Sequence, residues 1–200
     1  MTYSRTIYGI YNNNIGKIEM TGGTIINAST YNYSTTYEIY NNQKGTINIA
    51  GGEIKDSETI GKYVSSYGIY NNQGEVTITK GNINTKTYGI QNNSGTITIG
   101  EAGGGVSTTE PEIIGGQYGL YNGTGNIYFY DGVLKGKTEA FYGSLTATEE
   151  NYDIKKETDL ESYKIAYPAR EVLAKIGETE YYSLQDAINS IQENTTATEI

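Results

Sequence analysis

Between Tyr8 and Phe129 the chain repeats a short alternation of apolar and polar positions and shows no helical stripe. A first block reads YGIYNN or a near variant, starting at Tyr8, Tyr37, Tyr67, Tyr88 and Tyr118, with a decayed FYGSL at Phe141. A second block follows, as in GKIEMTGGTI, GTINIAGGEI, GEVTITKGNI, GTITIG and GNIYFYDGVL. Period-two blocks bounded by glycine and asparagine predict short strands joined by tight turns. The starts lie 21 to 30 residues apart, and insertions such as KDSETIGKYVSS and EAGGGVSTTEPEIIGG fall after the second block. Variable loops on a fixed frame describe a solenoid, in which each coil needs only its neighbours.

The exceptions in the first block suggest which face is wet. Position two is Gly except at Glu38, and position four is Tyr except at Gln91. A face that accepts Glu and Gln reads as solvated, which turns positions one, three and five inward. The expected inward set is Tyr8, Ile10 and Asn12, then Tyr37, Ile39 and Asn41, then Tyr67, Ile69 and Asn71, continuing to Tyr118, Leu120 and Asn122. In the second block Ile18 and Met20, Ile47 and Ile49, Val76 and Ile78, Ile97 and Ile99, and Ile127 and Phe129 are expected inside. Ile25, Ile54, Ile83 and Leu134 supply a third strand. The predicted fold class is all-β, a parallel β-helix (β-solenoid) of about six coils, with a short C-terminal strand–helix segment. At ordinary strand spacing six coils make a rod roughly 25–30 Å long. Asn12, Asn41, Asn71, Asn92 and Asn122 are expected to form an asparagine ladder, because an amide both donates and accepts along the axis.

Composition narrows the classes. The 200 residues include 21 Tyr and 26 Gly but no Cys, His or Trp, which suits strands and turns and removes thiol chemistry. With mean hydropathy at −0.52, a wide core is hard to fill, and a narrow core used repeatedly is easier. The formal charge of −9 argues against nucleic acid or an anionic membrane as partner. No apolar run reaches transmembrane length, and MTYSRTIYGI lacks the features of a signal peptide. Three regions are expected: repeats over 1–147, a charge-rich cap or linker over 148–168 ending at a break at Pro168, and a strand–helix segment over 169–200. In that last region VLAKIG reads as a strand. SLQDAINSIQEN reads as a helix capped by Ser183 and Asp186, with Leu184, Ala187, Ile188 and Ile191 on one face. TTATEI reads as a further strand.

The runs YGIYNN, GTITI and GGTI resemble the tandem repeats of right-handed β-helix proteins of the pectate-lyase-like superfold. They are most similar to large surface proteins of Gram-positive gut bacteria. The resemblance covers about residues 8–147 and implies a right-handed coil in an extracellular, cell-surface protein. AKIGETEYYSLQDAI is similar to the opening segment of β-helix domains in such proteins, which implies that 169–200 begins a second module cut at Ile200. Lyases of the superfold carry Asp-rich calcium sites with Lys or Arg as base, and the related hydrolases cluster Asp with His and Arg. This chain has no His, its only arginines are Arg5 and Arg170, and Asp56 and Asp131 fall in different registers. Glu38 is expected alone and solvated. The chain is therefore expected to have no catalytic residues, no metal and no cofactor.

One outward feature has chemistry of interest. Tyr11, Tyr40, Tyr70 and Tyr121, interrupted by Gln91, are expected to form a column, which either packs ring on ring as a ladder of the stacked sheet or stacks on sugars or anchors a protein. A second column, Thr46/Asn48, Thr77/Thr79 and Thr96/Thr98, spans only three coils. The expected function is a non-enzymatic structural or adhesin-like repeat segment of a secreted or cell-surface bacterial protein. Glycans or surface proteins are the expected partners, with no nucleic acid and no membrane span. The alternative is a carbohydrate-active β-helix enzyme, lyase- or hydrolase-like, with its active site outside this segment.

Overall fold

The computed structural model describes residues 4–27, 29, 31, 33–58, 61–103, 107, 109–145, 152–170 and 172–194. The first coil is β1 (Arg5–Asn12), β2 (Lys17–Met20) and β3 (Thr24–Asn27). The second is β4 (Tyr33–Asn41) and β5 (Thr46–Asp56), and the third is β6 (Tyr63–Asn71) and β7 (Glu75–Thr85). The fourth is β8 (Tyr88–Asn92), β9 (Thr96–Ile99) and β10 (Glu112–Gly115). The fifth is β11 (Tyr118–Asn122), β12 (Asn126–Phe129) and β13 (Val133–Gly136), after which β14 (Glu139–Tyr142) opens a sixth.

These strands form a β-solenoid with about four turns enclosed between its end rungs, and six first-strand rungs stand in its sheet, one for each repeat line. The first strands pair in parallel in the order β1-β4-β6-β8-β11-β14, so only the four inner rungs are covered on both sides. Like sits on like. Ile39, Ile69, Ile90 and Leu120 are in register and have no exposed surface. Ile47, Val76, Ile97 and Ile127 form a second buried column, and Ile49, Ile78, Ile99 and Phe129 a third. The fourth runs Ile54, Ile83, Ile113, Leu134. Ile113 lies in what the sequence suggests is an insertion. The end of that insertion is the fourth coil's missing third strand, and Tyr63–Ser66 of the other insertion likewise lengthens β6.

In the second and third coils the second and third strands run on as one bent strand. The bend in β5 falls at Gly51 and Gly52, where pairing with β7 shifts register. Gly52 has φ 94°, and a Cβ there would come within 2.7 Å of the Gly23 carbonyl oxygen. Only glycine fits such a left-handed, crowded corner.

The first strands depart from the expected facing. In β4, Ser34, Thr36 and Glu38 point inward, and so do Ile39 and Asn41, while Tyr37 and Tyr40 point outward. Two successive inward residues mean that the chain turns a corner between positions two and three, so alternation restarts there. Tyr8, Tyr37, Tyr67, Tyr88 and Tyr118 are thus on the outside, contrary to expectation. Position two is glycine because the corner is tight: a Cβ on Gly68 would lie 2.6 Å from the Gly89 carbonyl oxygen.

The asparagine ladder forms as expected. Asn12 Nδ2 donates to Asn41 Oδ1 at 2.8 Å, Asn41 to Asn71 at 2.9 Å, Asn71 to Asn92 at 2.9 Å and Asn92 to Asn122 at 3.0 Å. The second hydrogen of each amide meets a carbonyl of its own turn, as Asn41 does with Gly45 at 2.8 Å. A second ladder, unforeseen, runs along the next residue. Asn42 donates to Asn13, Asn72 to Asn42 and Asn93 to Asn72, at 3.0, 3.0 and 2.9 Å. Its donors point toward the N-terminal coil and those of the inner ladder away from it, so the two amide dipole rows oppose.

At the C-terminal side β15 (Tyr152–Thr158) and β16 (Lys164–Arg170) form an antiparallel hairpin, and β16 pairs antiparallel with β13. Ala166 joins the buried core. Pro168 does not break this strand. Pairing to β13 ends at Ala166, so Pro168 lies where β16 has a partner strand on one side only. Next come β17 (Ala174–Ile176), β18 (Thr179–Tyr181) and α1 (Leu184–Asn194). The expected cap is present: the Asp186 N–H donates to Ser183 Oγ at 3.4 Å. Ala187 is buried, while Leu184, Ile188 and Ile191 are exposed. The strand expected over TTATEI (195–200), and Ile200 with it, lies outside the described residues.

The two ladders differ in what they hold. Asn71→Ala removes buried bonds on both sides of the third coil and is expected to destabilise the protein by about 3 kcal/mol in denaturant unfolding, because buried amide partners are left unpaired. Asn42→Ala, in the solvent-facing ladder, should cost less than about 1 kcal/mol in the same measurement.

Candidate functional site

The outer face of the six-stranded sheet carries two aromatic columns where one was expected. Tyr11, Tyr40, Tyr70 and Tyr121 share a column, with Gln91 in register between Tyr70 and Tyr121, and Tyr142 extends it. Beside it stand Tyr8, Tyr37, Tyr67, Tyr88 and Tyr118. Within columns the rings stack at near strand spacing: Tyr37 and Tyr67 are 4.9 Å apart, as are Tyr40 and Tyr70, inclined by 21° and 11°. Between columns they meet edge-on, at 84° for Tyr8 with Tyr11 and 87° for Tyr37 with Tyr40.

This herringbone satisfies the ring quadrupole in both directions, and each such pair contributes about 0.5–1.5 kcal/mol beyond its buried area. It also decides what a ligand meets. Ring faces are turned toward neighbouring rings, so edges and hydroxyls look outward. Burial, and then the neighbouring phenols, push the hydroxyls of Tyr37, Tyr67 and Tyr88 above their ordinary range. The second column was legible in the YGIY spacing, but a straight-strand count sent it inward.

Glu38 requires a correction. It is not solvated: it has no exposed surface, and neither carboxylate oxygen has a hydrogen-bond partner. It is not alone either, because its carboxyl lies against that of Asp56. Position two points inward, so Glu38, which stands where the neighbouring rungs have glycine, reaches across the corner to the third-strand column. That column holds Asn27, Asp56 and Thr85. Asn27 donates to the Ile7 and Tyr37 carbonyls, and Thr85 Oγ1 to the Tyr88 carbonyl at 2.6 Å. Asp56 instead accepts, at Oδ2, from Ser66 Oγ at 2.7 Å and from the Lys86 N–H. Its Oδ1 is buried without a partner. Asp131, the other coil aspartate, sits apart at the turn into β13, accepting from the Gly132 N–H at 2.7 Å.

A surface groove runs past this corner, lined by Lys55, Asp56, Asn84, Lys86, Lys137 and Tyr163 among others. Each lysine already has a neighbour. Lys55 pairs with Glu53 at 2.6 Å, Lys86 Nζ donates to the Gly61 and Lys62 carbonyls, and Lys137 lies 5.1 Å from the Tyr163 ring. Of the acid pair only Asp56 borders the groove. A general acid or base must reach its substrate, and Glu38 is sealed from it. Among the described residues no group of three or more acidic side chains is arranged to hold a metal ion, and no helix is long and apolar enough to cross a membrane.

No protein-family model matches this chain, nor does any curated protein or solved structure.

The interruption at Gln91 gives a direct test of the columns. Gln91→Tyr should stack between Tyr70 and Tyr121 and raise stability by about 0.5–1.5 kcal/mol in denaturant unfolding. An unchanged or lower midpoint would show that the rings do not support one another.

Proposed function

We propose that the chain is a non-enzymatic structural segment, adhesin-like, of a secreted or cell-surface bacterial protein, and that its tyrosine face binds glycans or proteins. The observation that carries this reading is the continuity of that face. Tyrosine rings run from the first rung to the sixth in register, on one side of one sheet, with Gln91 intervening in one column and Glu139 ending the other. A contiguous aromatic surface of this kind is uncommon outside interaction sites. Its hydroxyl edges suit a partner rich in hydroxyl or amide groups, since tyrosine offers large area with a polar tip.

The interior supports the structural part of the reading. Ile, Asn and Tyr at the repeated positions bind their own copies in the next coil, which makes a stiff spacer. The likeness of YGIYNN and GTITI to repeats of pectate-lyase-like surface proteins supports a place outside the cell and a right-handed coil.

The test is a glycan array, with a parallel screen against surface-protein extracts, using the parent protein and the Tyr40→Ala/Tyr70→Ala double variant. The double variant should lose binding at least about tenfold, equivalent to roughly 1.4 kcal/mol, as expected for central aromatic contacts. Thr77→Ala, on the other sheet, should bind like the parent. Equal binding by parent and double variant, or none by the parent, removes the binding role.

A further inference from the structure

We propose that Glu38 and Asp56 hold a single proton between them, and that this shared proton is a pin that closes the corner of the second coil and is withdrawn by alkali. The geometry poses the problem. Both Glu38 oxygens and Asp56 Oδ1 are buried and none has a partner. Two carboxylates in contact offer acceptors only, so as a dianion they would repel each other with no donor between them. One proton removes the repulsion and partners two of the three oxygens: a carboxylic acid at Glu38 donates to Asp56 Oδ1, and Asp56 Oδ2 remains the acceptor that Ser66 and Lys86 require.

Among the described residues nothing else in the corner supplies the positive charge. From β1 the neighbour is the backbone at Gly9, and from β3 it is the Asn27 amide, which is bonded to main-chain carbonyls. From β6 come the Ser66 hydroxyl and Gly68. β5 contributes Asp56 itself and Lys55, whose ammonium pairs with Glu53. Lys86, just past β7, presents its N–H to Asp56 while its ammonium is directed to Gly61 and Lys62. Burial first, and the Asp56 charge second, push the Glu38 carboxyl up to about 9.

The pair also ties elements together. Glu38 is on β4, Asp56 ends β5, Ser66 is on β6, and the Lys86 N–H donates to both Asp56 and Ser66 Oγ, the latter at 3.0 Å. Loss of the proton would leave two negative charges inside this knot. The nearest relief is outward, into the groove, where Lys55, Lys86 and Lys137 stand. The expected response is a local opening of the corner along the groove.

The sign follows from linkage. The folded carboxyl is raised above its unfolded value of 4.5, so its contribution to stability is complete below that pH and is lost as pH rises toward about 9. Denaturant unfolding of the parent and of Glu38→Gln across that range reads this directly. The ratio of their unfolding constants should change by up to about tenfold per pH unit inside the window and level off above it, the parent becoming the weaker protein. In Asp56→Asn the upper end of the window should move to lower pH, since the charge that raises Glu38 is gone. The parent at neutral pH should show the infrared carbonyl band of a protonated carboxyl, bleaching on alkaline titration.

Parallel pH curves for parent and Glu38→Gln, or no such band in the parent, would overturn the proposal. So would a parent midpoint that rises with added calcium or magnesium and falls with chelator while Glu38→Gln does not respond, because a cation would then occupy the place given to the proton. Should Glu38→Gln fail to fold, the infrared titration of the parent and the Asp56→Asn curve decide alone.

Discussion

Parallel stacking in register makes each side chain the neighbour of its own counterpart one coil away, about 4.8 Å distant. Only groups that attract copies of themselves can occupy a repeated position under that rule. Isoleucine does so through dispersion and shared burial. Asparagine does so because one amide end donates what the other accepts. Tyrosine does so by offset stacking. A carboxylate or an ammonium column would repel itself, since like charges directly opposite are destabilising. The repeated vocabulary of this chain is close to the set of residues that pass this condition, with glycine added where the corner leaves no room.

The same condition shapes the surface. Polar groups that in a globular protein would turn to water are here committed to the coil above or below, as the two asparagine ladders show. Their amide rows point in opposite directions, so neither builds a large dipole along the axis. The tyrosine columns are held in the same manner and present a flat, uncharged surface of ring edges and hydroxyls. The proposed display role rests on that stiff frame and its one distinctive face.

Unlike groups are also brought together where the repeat fails. Glu38 replaces glycine at the inner corner, and Asp56 replaces the Asn or Thr of its column. Glu38 alone would bury an uncompensated acid, whereas Asp56 borders the groove and accepts from Ser66 and Lys86. Together they form a bond that needs a proton from outside the chain. The C-terminal hairpin departs from the repeat in a different way. It turns antiparallel to β13 and buries Ala166 over the fifth coil, covering a parallel edge that would otherwise stay open to pairing.

Much of the fold was legible because a solenoid writes its periodicity into the chain. The isoleucine columns, the inner asparagine ladder, the Tyr11–Tyr40–Tyr70–Tyr121 column and the capped helix at Ser183 are local or repeated patterns, which composition and spacing can determine. Ile113 was hidden because an insertion separates it from its line. The facing of Tyr8 and its equivalents, and the meeting of Glu38 with Asp56, were decided only by tertiary structure. Alternation presumes a straight strand, and the corner after position two reverses it. No spacing along the chain reveals that corner, because it exists only when a later strand packs across it.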